Sequence, residues 1–193
     1  MQLRQHIMAV LMTAGLGLTT PLMAANPAFA AEWQVDVDAS AIGFSGTHAG
    51  RDFTGQFNEW QADITFDPEA LDEAEVTVTV SVASAETGTR LYDRTLPNTE
   101  WFDVENHPTA TFVADDFSQL NDGRYQARGT LTMKGQEQPI VLPFSLSIDG
   151  NNATMEGRVE LDRIVLDMGT KSDPDAAWVS QVIPVTISLV ASR

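Results

Sequence analysis

Val76-Thr77-Val78-Thr79-Val80-Ser81-Val82 alternates valine with hydroxyl residues for seven positions. Successive side chains of an extended strand point to opposite faces, so this stretch has one apolar face and one wet face and reads as a half-buried β-strand. The same period of two extends in both directions from it. Upstream it places Ile42/Phe44/Gly46/His48, Phe53/Gly55/Phe57 and Trp60/Ala62/Ile64/Phe66 on common faces. Downstream it groups Ala110/Phe112/Ala114, Tyr125/Ala127/Gly129/Leu131/Met133, Ile140/Leu142/Phe144/Leu146/Ile148, Ala153/Met155/Gly157/Val159/Leu161 and Val185/Ile187/Leu189/Ala191. At least eight strands follow from this pattern.

Turn residues separate the strands at Asp67-Pro68, Asn121-Asp122-Gly123, Lys134-Gly135 and Asp149-Gly150-Asn151-Asn152. Connections this short join antiparallel neighbours. Between Ser84 and His107 the alternation stops, and Pro97 and Pro108 limit any helix, so a long loop carrying a short helix is expected. Gly169 to Asp175, rich in Gly, Ser, Asp and Pro, reads as a surface loop, and Trp178 beyond it as core or rim packing. The strands can pack as two sheets or close into a barrel. The small inward residues Gly46, Gly55, Gly129, Gly157, Ala62, Ala110, Ala127 and Ala153 leave room among the large ones and lean toward a barrel, which at eight strands can hold one small ligand.

The first thirty residues read differently. Arg4 and His6 precede the mostly apolar run Ile7 to Leu18, and Ala28-Phe29-Ala30 has the small-x-small pattern of a signal-peptidase site. Residues 1–30 are expected to be a secretory signal cut after Ala30, and residues 31–193 a single domain outside the cytoplasm. The apolar run is shorter than the roughly 20 residues a spanning helix needs.

Of 193 residues, 43% are hydrophobic and 20% charged, a globular composition. Taking away residues 1–30 removes one basic residue, Arg4, and leaves 10 basic against 27 acidic residues, a net of −17. So acidic a domain repels phosphate backbones, and nucleic acid is excluded as a partner. Without cysteine there are no disulfides, thiolate metal sites or thiol nucleophiles. No HExxH, GxSxG, Walker or dinucleotide motif occurs, and no histidine pair has metal-ligand spacing. The carboxylate pairs Asp36/Asp38, Asp115/Asp116 and Asp173/Asp175 read as solvated acidic surface rather than a calcium site or glycosidase pair. His48, on the face of Ile42 and Phe44, is either a rim histidine bonded to backbone or a polar handle at the mouth of an apolar cavity.

In order along the chain, Trp33-Gln34-Val35-Asp36-Val37-Asp38-Ala39-Ser40, Ile42-Gly43-Phe44 with His48, Gly55-Gln56-Phe57 with Trp60, and Ile64-Thr65-Phe66-Asp67-Pro68 are followed by Thr87-Gly88, Asp93, Leu96 and Trp101-Phe102-Asp103-Val104. Pro108-Thr109-Ala110-Thr111-Phe112 and Gly129-Thr130-Leu131-Thr132-Met133-Lys134-Gly135 continue the set, with a looser match from Arg163 to Gly169, at Trp178 and from Val185 to Ala191. Through these stretches the chain resembles the YceI-like family of periplasmic polyisoprenoid-binding proteins over essentially all of residues 33–193. It departs from the family in having Tyr92-Asp93, then Arg94, where an Arg-Asp pair is common, and Met168 where a Phe usually precedes the late glycine.

The resemblance implies an all-β, lipocalin-like, eight-stranded antiparallel barrel with a short helix in a long loop. It also implies a non-catalytic carrier for an amphipathic lipid, with a bound polyisoprenoid, isoprenoid quinone or fatty-chain lipid in place of a cofactor. The cavity lining is then expected at Phe44, Phe57, Ile64, Phe66, Val78, Phe112, Met133, Phe144 and Met155, with His48, Tyr92 and Arg94 as head-group contacts. A transient membrane encounter and a homodimer are compatible with this picture. The alternative is a regulatory or partner-binding module serving a membrane redox protein or a stress response. An enzyme acting on the lipid is disfavoured, because no nucleophile and base are visibly paired.

Overall fold

The computed structural model describes residues 31–193, and the expected export segment with its cut after Ala30 lies outside them. Alternating stretches become strands where expected: β1 (Glu32–Val35), β2 (Ala41–His48), β3 (Arg51–Phe57), β4 (Trp60–Thr65), β5 (Glu75–Ser81), β6 (Ala85–Glu86), β7 (Thr109–Gln119), β8 (Tyr125–Met133), β9 (Gln136–Asp149), β10 (Asn152–Asp162) and β11 (Val182–Ser192). One short helix, α1 (Arg90–Thr95), interrupts the long loop before β7.

Eight strands, in the order β1-β4-β5-β7-β8-β9-β10-β11, close on themselves because β1 pairs with β4 on one side and β11 on the other. Every ladder is antiparallel, as the short connections require. The closed antiparallel barrel is thus realised. It has an additional flap: the N-terminal half of β11 pairs with β2 (Val185 opposite Phe44), β2 with β3, and β3 with the two-residue β6 (Phe57 opposite Ala85).

The registers define two ends. The β7–β8 and β9–β10 turns lie at the lower end, with Asn121-Asp122-Gly123 and Asp149-Gly150-Asn151 as their tips. At the upper end are the β2–β3 and β8–β9 turns, α1, and the loops 96–108 and 163–181. Aromatic rings fill the lower end. Phe66 stands edge-on to Phe117, Tyr125 and Phe144 at centroid distances of 5.6, 5.7 and 6.1 Å, and the Trp33 indole N–H donates to the Phe66 carbonyl at 2.9 Å. A second cluster, with Val82, Phe102, Met133, Leu166 and Met168, caps the upper end.

The glycines on the inner faces do not leave the gaps that the sequence suggests. Across the β2–β3 ladder Phe44 faces Gly55 and Phe53 faces Gly46, and each ring lies over the opposite glycine, 2.3 and 2.7 Å from where a Cβ would stand. A side chain at Gly129 would meet the Val113 carbonyl oxygen at 2.2 Å and the Ala114 Cα at 2.9 Å, beside the irregular step between Ala114 and Asp116 in the β7–β8 ladder. At Gly157 a Cβ would sit 3.1 Å from Leu142. These glycines admit neighbouring rings and backbone; the room inside comes from the alanines. Gly129→Ala is therefore expected to destabilise the barrel by about 1–3 kcal/mol, read as a lowered midpoint in urea. An unchanged midpoint would mean that Gly129 faces open space after all.

Candidate functional site

The inner faces enclose a cavity of about 240 Å³ whose lining residues are all apolar. All nine expected positions face it: Phe44, Phe57, Ile64, Phe66, Val78, Phe112, Met133, Phe144 and Met155. So do Ala62, Ala110, Ala127 and Ala153, whose small side chains widen the lumen. Several inward residues, including Ile64, Val76, Val78, Val80, Phe112 and Met155, are only half-buried. Their inner-face position puts the remaining accessible surface on the lumen. A charged group inside would lose its hydration without a partner, at a cost of several kcal/mol. The geometry suits an apolar chain whose polar end stays outside.

The three expected polar contacts stand apart from this lining. His48 shares a face with Ile42 and Phe44, but Phe53 covers Gly46 between them and the lumen ends there. His48 Nδ1 instead shares a hydrogen bond with the Tyr92 hydroxyl at 3.0 Å, and Tyr92 packs edge-on against both His48 and Phe53. This pair fastens α1 to the β2–β3 hairpin. The Asp93 carboxylate ties α1 to the residue after β6 by accepting from the Thr87 backbone N–H at 2.8 Å and hydroxyl at 2.6 Å. Arg94 is exposed and makes no ion pair among the described residues.

Sequence reasoning missed a buried polar knot at the upper end. Arg163 is 1% exposed and its guanidinium donates to the carbonyls of Ser180, Met168, Asp173 and Val179, and to the Asp173 carboxylate at 2.7 Å. The ring of Trp101 lies 5.7 Å from its Cζ. Asp173 in turn accepts from the backbone N–H groups of Ala177, Trp178 and Val179. The stretch from Gly169 to Asp175 is therefore no simple surface loop, and Asp173 is not solvated surface. Trp178, expected in core or rim packing, is 64% exposed. Turn-rich composition signals a loop and carries no information about what an arginine six residues upstream will do to it. The looser family match from Arg163 to Gly169 was the available signal.

Glu100 ties the two upper loops together, accepting from the backbone N–H groups of Lys171 and Ser172 and the Ser172 hydroxyl. Burial raises its pKa, but these bonds and nearby Lys134 outweigh that and hold it below the usual value. Lys134 reaches the Glu100 and Asp167 carbonyls from the β8–β9 turn.

The model of the YceI-like domain matches residues 33–191. The chain belongs to the YceI-like family. A UPF0312 protein of Pseudomonas paraeruginosa is 29% identical over 189 residues, 93% of this YceI-like chain and 96% of that one. Another, from Photorhabdus laumondii, is 30% identical over 142 residues, 71% and 73% of the two chains. Among solved structures, Burkholderia cenocepacia BcnA superposes with a TM-score of 0.78 at 26% identity, covering 82% of this chain and all of that one. A polyisoprenoid binding domain from Saccharophagus degradans, implicated in plant cell wall breakdown, superposes at 0.64 with 14% identity over 83% and 97% of the two chains, a likeness of fold.

The Asp173 carboxyl is held below the usual range, first by the Val179 N–H and then by those of Trp178 and Ala177 and the Arg163 guanidinium, against the opposing effect of burial. A depressed folded-state pKa contributes stability above the unfolded value of about 3.9, and that contribution is lost as the pH falls through the native value. Asp173→Asn should flatten the acid side of the stability profile below about pH 4 relative to wild type. Urea midpoints measured at successive pH values test this; parallel profiles would contradict the role given to Asp173.

Proposed function

We propose that this YceI-like protein is an exported, periplasmic, non-catalytic carrier that holds the chain of an isoprenoid or similar amphipathic lipid inside the barrel. The observation that supports it most directly is the barrel lumen lined by apolar side chains alone. The polyisoprenoid binding domain of similar fold supports the same ligand class, and the N-terminal sequence supports export. The nine inward residues from Phe44 to Met155 contact the chain, and the head group stays at an end of the barrel, with His48, Tyr92 and Arg94 as polar candidates at the upper one.

The energetics fit a carrier. Each buried methylene contributes about 0.8 kcal/mol, so ten contribute roughly 8 kcal/mol. The same chain gains nearly as much in a bilayer, so uptake and release are close to balanced. Native mass spectrometry and organic extraction of protein purified from its own periplasm should reveal a lipid. Finding none, together with no response of a fluorescent prenyl probe, would sink the proposal. Val78→Trp and Phe112→Trp, which fill the lumen, should cut probe uptake at least tenfold while preserving the far-UV CD of the barrel. Unchanged uptake would place the ligand elsewhere.

A further inference from the structure

The two ends of the barrel differ in a way that the cavity does not explain. Left-handed backbone at the lower turns falls on glycines, Gly123 and Gly150. At the upper end five residues with side chains take it: Ala49, Asp103, Lys134, Asp167 and Ala176, with φ between 50° and 54°. Such conformations cost of order 1–3 kcal/mol each and persist only where the surroundings enforce them. One enforcing contact is the Ala49 N–H, which donates to the Trp178 carbonyl at 2.7 Å.

That contact joins the β2–β3 tip to a loop whose backbone is pinned and whose large side chain is not. The Trp178 N–H is held by Asp173, and Asp173 by Arg163, yet the Trp178 ring is 64% exposed. Leu91, on the helix that His48 fastens to the same hairpin, is also 64% exposed. The same hairpin tip and helix carry three arginines: Arg51, just past the Ala49-Gly50 turn, and Arg90 and Arg94, four residues apart on α1 and so on one face. All three arginines are exposed and make no ion pair among the described residues, in a chain with 27 acidic residues. Elsewhere Arg124, Arg128, Arg163 and Lys134 each have a carboxylate partner; Arg158, Lys171 and Arg193 also make no ion pair among the described residues, but they are scattered singly, and Arg193 lies over the Trp33 ring. Of the acids at this corner, Asp93 is turned inward to Thr87 and Glu86 accepts from Asn58, while Asp52 and Asp175 are exposed.

We propose that this corner, with Trp178, Leu91, Arg51, Arg90 and Arg94 on its linked elements, is the edge by which the protein docks on a phospholipid bilayer. A tryptophan prefers the headgroup level of a membrane, where its ring is half apolar and its N–H stays hydrated. Guanidinium groups that no carboxylate claims are free to bind lipid phosphates. The net of −17 keeps the rest of the barrel off the membrane, so the contact is edge-on. Docking here deepens the carrier reading, on which its purpose rests, by placing exchange at the end capped by Phe102 and Met168.

The test is flotation of the mature protein with vesicles of phosphatidylethanolamine and phosphatidylglycerol, alongside quenching of its tryptophan fluorescence by brominated lipid. Wild type should float and be quenched, with binding weakened at high salt. Trp178→Ser, Leu91→Asp and the pair Arg51→Gln with Arg90→Gln should each reduce flotation at least fivefold. Trp178→Ser should still carry extractable lipid, so loss of docking is separable from failure of the carrier reading. Absence of wild-type flotation, variants that float as well as wild type, or a second copy of the chain covering Trp178 in solution by sedimentation velocity would each overturn the proposal.

Discussion

Everything inside this molecule depends on the closure made by β1. Four residues, Glu32–Val35, pair with β4 through Trp33 opposite Ile64 and with β11 through Val35 opposite Ala191. Without that seam the sheet would have two free edges, and the lumen would be open along its side. The seam is secured by burial as well as by the ladder, because the Trp33 ring enters the lower aromatic cluster and its indole bonds the Phe66 carbonyl. The outer side of the ring is covered by Arg193, 4.9 Å away. A short strand is sufficient because its one large side chain is so well held.

Closure leaves two ends to be sealed, and they are sealed by different physics. The lower end uses tight glycine turns and edge-to-face aromatic packing, which is apolar, dense and unstrained. The upper end uses loops bound by charge-assisted hydrogen bonds, with Arg163, Asp173, Glu100 and Lys134 satisfying backbone groups that no ladder reaches. Three of its strained residues belong to that polar network: Lys134 donates to the Asp167 carbonyl, and the Ala176 N–H donates to the Asp173 carbonyl. An end built this way can rearrange without dissolving the barrel, since the ladders do not pass through it.

How far the site was legible depended on which side chains were read. Inward valines, phenylalanines and methionines were recognisable because period-two alternation is local, and a residue's face follows from its neighbours two positions away. The glycines were misjudged for the opposite reason. Whether a missing side chain leaves a hole is decided by the residue across the ladder, and Phe44 and Phe53 fill the spaces that Gly55 and Gly46 leave. His48 was legible from its face only as a rim histidine or a polar handle at a cavity mouth, and its bond to Tyr92, more than forty residues away, is invisible to alternation.

By itself the sequence determined the strands, their antiparallel connections, an apolar interior and, through family resemblance, a barrel. These follow from interactions between residues close in the chain, and from a motif order that survives without coordinates. Only the tertiary structure decided where the barrel closes, which small residues make room, and that Arg163 and Asp173 are buried while Trp178 is not. Each of those outcomes depends on groups distant in sequence meeting in space. Closure joins residues 33–35 to residues 64 and 191, and the burial of one arginine is decided by five oxygen acceptors spread over positions 168 to 180.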